Sequence, residues 1–129
     1  MGMKFEDLEA WQEARRLVKE IYLLTQVGPL AKDYRLSSQI QAASVSIMSN
    51  IAEGFERTGS AEKLHFYNIA RASCGEVRSQ LYVIEDVCAS LSQKATTLRD
   101  SASTVGRLIS GLIASTHRRT AAGKIEVGR

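Results

Sequence analysis

Proline is almost missing from this chain, one in 129 residues, and aromatic side chains make up only 6%. A sandwich or barrel of many short strands needs turn residues and aromatics at regular intervals, so that class is excluded. No stretch approaches the roughly 18 uninterrupted apolar residues of a membrane-spanning helix. The opening Met1-Gly2-Met3-Lys4-Phe5-Glu6 lacks the apolar core of a secretory signal. Cysteine is scarce as well. Cys74 and Cys88 fall on one predicted helix, about 21 Å apart at 1.5 Å per residue, too far for a disulfide within the chain. They read as small core residues in a reducing compartment, and a cytoplasmic protein is expected.

What is present is ordinary for one globular domain: 44% apolar and 24% charged residues, with a net charge of +3. The positive excess is C-terminal, since residues 94–129 hold seven basic and two acidic side chains. Arg118, Arg119, Lys124 and Arg129 make most of it; the first three, with a second basic group of Arg15, Arg16 and Lys19, make six. These six are the candidate nucleic-acid contacts, through phosphate and without sequence readout. A solvated tail whose cations meet a helix dipole accounts for the C-terminal group equally well.

Four segments carry helical period, and none shows strand alternation. The first starts at Asp7 as N-cap, runs through Leu8, Trp11, Ala14, Leu17, Ile21 and Leu24, and stops at Gly28-Pro29. The second places Leu36, Ile40, Ala43, Ile47, Ile51 and Phe55 on one side and has no charge between Arg35 and Glu53, which predicts burial on more than one face. Ser60 is the expected cap of the third, whose seam is Tyr67, Ala70, Cys74, Val77, Leu81, Ile84, Cys88 and Leu91. Its alternating steps of three and four make a heptad repeat. The fourth reads Leu98, Ala102, Val105, Ile109 and Leu112, weakened by Gly106 and Gly111. The resulting fold is all-α, an up-down-up-down antiparallel four-helix bundle over residues 1–119, with helices near 7–27, 33–57, 61–90 and 94–119 and a flexible basic tail over 120–129.

Catalytic patterns are lacking. There is no Gly-x-Ser-x-Gly elbow and no phosphate loop, because Gly54-Phe-Glu-Arg-Thr-Gly59 is not followed by Lys-Ser/Thr. A di-iron bundle requires two Glu-x-x-His pairs. Glu62 precedes His65 at that spacing, but Ala114 stands three residues before His117, so only one pair exists and no metal, cofactor or small-molecule substrate is expected.

Polar residues do interrupt the apolar helices. Asn50 and Glu53 lie in the second, and Arg71, Ser73 and Glu76 in the third. Counting outward from the loops places Trp11, Asn50, Tyr67 and the His117–Arg119 turn at one height. The expected layer has the Trp11 indole donating to Asn50 or Glu53, with Arg118 or Arg119 balancing Glu53. It reads first as a cluster that fixes helix register and second as a partner site.

Three of these stretches also carry a resemblance. Phe5-Glu-Asp-Leu8-Glu-Ala-Trp11-Gln12 opens the chain. Leu36-Ser-Ser-Gln39 leads through Ala43 and Ser46-Ile47 to Ser49-Asn50-Ile51-Ala52-Glu53-Gly54. Phe66-Tyr-Asn-Ile69-Ala70-Arg71-Ala-Ser73 is followed by Glu76 and Leu81. Together they are similar to the bacterial four-helix-bundle proteins encoded in intervening sequences of 23S rRNA genes, whose relatives include the accessory variability protein of diversity-generating retroelements. The resemblance implies a homo-oligomer, often a pentamer, without enzymatic activity, linked to RNA or DNA or to a reverse transcriptase. A pure protein-binding scaffold is the alternative. The chain departs from the family pattern at Gln41 and Ala42, where relatives often have two arginines, and at Met48, where a proline is common. Gly28-Pro29 stands where the family usually has Phe-Pro.

Overall fold

In a computed structural model the described residues are 2–123. They form four helices: α1 (Glu9–Leu24), α2 (Tyr34–Glu56), α3 (Ser60–Val87) and α4 (Ser92–Ala121). Each helix packs on its two neighbours, α1 on α2 and α4, α3 on α2 and α4, which closes an all-α four-helix bundle. The seam residues of α3 from Tyr67 to Cys88 are all buried, facing Ile40, Ile47 and Ile51 of α2 and Leu98, Val105 and Ile109 of α4 in one core. Leu17 and Ile21 complete it from α1.

The helix ends differ from the sequence expectation for local reasons. Asp7 caps no α-helix. Its Oδ2 accepts the Lys4 N–H at 2.9 Å within a 3-10 turn, Phe5–Asp7, and α1 starts at Glu9. The helix then ends at Leu24, ahead of Gly28-Pro29, which opens a second 3-10 turn, Gly28–Ala31. Gly28 has φ +57, a conformation that favours glycine. That loop is tied down by two bonds: Ser37 Oγ donates to the Leu30 carbonyl at 2.8 Å, and Gln41 Nε2 donates to Thr25 Oγ1 at 2.9 Å. Gln41, one of the positions that departs from the arginine pattern, thus joins α2 to the end of α1.

Asp33 caps α2 through the Leu36 N–H at 3.1 Å, and the helix runs unbroken past Met48. Gly59, and not Ser60, is the cap position of α3. At the other end α4 continues through Ala121, so Thr120 and Ala121 belong to the bundle. Ala122 and Gly123 follow as a turn, and residues 124–129 of the expected tail, Lys124 among them, lie outside the described residues. No helix of the described residues is long and apolar enough to cross a membrane.

The charge-free stretch of α2 does not bury several faces within one chain. Ile40, Ala43, Ile47 and Ile51 point inward, and Ser38, Ala42, Val45 and Ser49 form an exposed uncharged strip on the opposite side. Their spacing of four, three and four residues keeps them in line along the helix.

Candidate nucleic-acid interface

The α1 cations are gathered by the helix itself. Leu17 and Ile21 face the core, which turns Arg15, Arg16 and Lys19 outward beside Trp11. With Glu6 and Gln12 these side chains line an open hollow of about 500 Å³. Arg15 lies 5.7 Å from the Trp11 ring centre, and Phe5 packs edge-on against the same indole at 5.2 Å. Arg16 is held by Glu13 at 2.6 Å. An aromatic face flanked by cations suits a base with its phosphates.

Arg118 and Arg119 are exposed in the last turn of α4 and do not line that hollow. Arg119 instead borders a smaller cavity of about 250 Å³ with Leu8, Phe55, Lys63, Tyr67 and Thr116. Tyr67 and the end of α4 therefore do meet at one height, as counting from the loops expected.

The rest of the polar layer does not assemble around Trp11. Ile47, Ile51 and Gly54 occupy the inward face of α2, and this phase turns Glu53 to solvent. Its side chain is 53% exposed and pairs with Arg57 at 2.9 Å, not with Arg118 or Arg119, so its contribution is small. Asn50 Nδ2 donates to the Ser46 carbonyl at 2.8 Å and Ser46 Oγ at 3.1 Å, and Ser46 bonds Ser73 Oγ at 2.9 Å. Asn50 and Ser73 thus meet through Ser46, which fixes α2 against α3. Among the described residues no hydrogen bond joins Trp11 to Asn50 or Glu53. Arg71 reaches Asn68 and Ser110 at 3.0 and 3.3 Å, and Glu76 is exposed on the outer side of α3.

One residue at this end escaped the sequence reading. Lys63 is only 9% exposed, and its Nζ donates to the carbonyls of Phe55 at 2.9 Å and Gly54 at 3.4 Å. Those oxygens belong to the last turn of α2, where helical partners run out and the dipole is negative. Burial holds the Lys63 ammonium below the usual lysine pKa, and Arg119 adds to that, against an opposing pull from Glu56. The signal was available: stepping the α3 seam back four residues from Tyr67 lands on Lys63. Replacing it by Met should destabilise the fold by about 1–3 kcal/mol, by leaving the Phe55 carbonyl unpaired, whereas the Gly54 carbonyl keeps the Arg57 N–H at 3.4 Å. Denaturant melts of Lys63→Met that match the native protein would contradict this role.

Gly54 marks a close approach between α2 and α3. A Cβ there would lie 2.6 and 2.7 Å from ring carbons of Tyr67. The Gly of Asn50-Ile-Ala-Glu-Gly54 and the Tyr of Phe66-Tyr67 are thus one packing contact. The 23S rRNA-intervening sequence protein family matches residues 6–111, which include both. The chain belongs to that family. Its fold is similar to that of a protein of unknown function from the S23 ribosomal protein family of Bacteroides thetaiotaomicron. The TM-score is 0.75 at 18% identity, over 81% of this chain and 95% of that one. No curated protein sequence matches the chain. Within this intervening-sequence bundle, the quoted motifs map onto the α2–α3 packing and onto the start of α1.

Proposed function

We propose that the protein is a non-catalytic, cytoplasmic homo-oligomer that associates with RNA weakly and without sequence preference, through its phosphates. The α1 hollow carries this reading, because it sets Trp11 beside Arg15, Arg16 and Lys19 on one open surface. Arg118, exposed at the end of α4, adds charge at the same end of the bundle. In a mobility-shift assay with single-stranded RNA at low salt, Arg15→Gln, Arg16→Gln and Lys19→Gln combined should weaken binding at least tenfold. An unchanged shift would remove α1 from the interface.

The uncharged strip of α2 supports the oligomer. Ser38, Ala42, Val45 and Ser49 are small enough to let a second backbone approach, and the 14.2 kDa chain buries none of them. A pentamer, as in relatives, is the form proposed. A second reading, a scaffold without nucleic-acid affinity, draws on the exposed apolar side chains Val83 and Val87 of α3.

A further inference from the structure

The seam between α3 and α4 opens into a groove of about 400 Å³ whose charged lining residues are Arg71, Arg78 and Arg107. No carboxylate lines it. The ion pairs among the described residues use Arg16, Arg57, Lys94 and Arg99, and none of the groove arginines. The hydrogen-bond partners of Arg71 and Arg107 are neutral: Asn68 and Ser110 for the first, Thr104 at 3.0 Å for the second. These bonds orient the guanidiniums and leave their charge uncompensated.

The three cations lie in a row. Arg71 and Arg78 are two turns apart on one wall, about 10 Å. On the other wall Ser110 meets Arg71 and Gly106 faces Cys74, which sets Arg107 between them in height. The floor stays open because Gly75 and Gly106 have no side chains. Neither needs to be glycine for packing: a Cβ would meet nothing within 4 Å at Gly75 and only Cys74 Cβ at 3.9 Å at Gly106. Each forgoes about 1 kcal/mol of helix propensity relative to Ala. Gly111 shares this freedom but lies outside the groove. The Cys74 thiol, pushed up to about 12 by burial, remains protonated and does not neutralise the arginines.

We propose that this groove binds the sugar–phosphate backbone of a single-stranded nucleic acid. A row of cations suits successive phosphates better than one isolated anion. Two packed helices, 8–10 Å apart in general, leave a channel too narrow for a duplex to enter. The proposal rests on the nucleic-acid reading above and adds a binding track separate from α1.

The test is fluorescence anisotropy with a labelled 20-nucleotide oligo(U) across a salt series. Arg71→Gln, Arg78→Gln and Arg107→Gln combined should weaken binding at low salt by tenfold or more. Their loss should also reduce the salt slope by about 0.7 per lost phosphate contact. Gly106→Leu keeps every charge but fills the groove, and it too should weaken binding with circular dichroism and oligomeric state unchanged. Native binding that survives both variants would overturn the groove and leave the α1 reading standing. No binding by the native protein would overturn both. A duplex of the same length binding as tightly would overturn the single-strand assignment.

Discussion

Replacing Gly54 with alanine should destabilise the bundle by about 1–3 kcal/mol, although alanine is the better helix former. The added methyl would sit 2.6 Å from Tyr67 Cε1 and 3.2 Å from the backbone oxygen of Lys63. Neither neighbour can yield cheaply. The Tyr67 ring is only 3% exposed, and the Lys63 carbonyl belongs to α3 itself. Alanine at Gly75 or Gly106 should do the opposite and stabilise by about 0.5–1 kcal/mol, since both positions have room. The contrast is informative because the three substitutions are chemically identical. Urea midpoints measure it. A Gly54→Ala protein as stable as the native one would mean that α2 and α3 leave room for a methyl group at Gly54.

Raising the pH should unfold the protein between pH 9 and 12. Burial pushes the Tyr67 phenol from its ordinary 10 up to about 12, against a smaller opposing effect of Arg119. Burial also pushes the Cys74 thiol from 9 up to about 12, opposed by Arg78. In both groups the folded state holds its proton more tightly than the unfolded chain does. Their stabilisation is therefore complete below pH 9 and is lost as the pH rises through the folded values. A tenfold change in proton affinity corresponds to about 1.4 kcal/mol, so about 3 kcal/mol rides on Tyr67 and about 4 kcal/mol on Cys74. Lys63 works in the opposite sense. Its lowered affinity adds stability as the pH climbs toward its ordinary 10.5, which partly offsets the loss. Small domains have about 5–15 kcal/mol in total, so the net decline should be large. Denaturant melts at pH 8, 10 and 11 should show it in the native protein and much less of it in Tyr67→Phe with Cys74→Ala. A flat profile in the native protein would contradict the burial of both groups.

The core was the most legible part of the chain. Each helix carries its own stripe, and every seam residue from Tyr67 to Cys88 is buried because heptad spacing alone sets which side of α3 faces inward. The 3-10 turns were not legible, since Phe5–Asp7 and Gly28–Ala31 depend on backbone bonds that leave no periodic trace. The polar layer failed through phase more than height. Counting from loops correctly brought Tyr67 level with the end of α4, but it says nothing of direction. Glu53 lies one residue before the inward-facing Gly54, and about 100° of rotation turns it to solvent. Lys63 was legible in principle, as the next step of a seam whose rule admits charge only where a partner waits. The α1 cations share one face by spacing alone, whereas Arg107 joins Arg71 and Arg78 only once the register of α3 against α4 is fixed.

Attraction to phosphate is the central claim, and salt tests it most directly. The native protein should bind single-stranded RNA with log K falling linearly against log salt. Three α1 cations imply a slope of about −2, and the α3–α4 groove makes it steeper. Affinity that stays constant between about 50 and 500 mM salt would contradict phosphate recognition and favour an apolar scaffold instead.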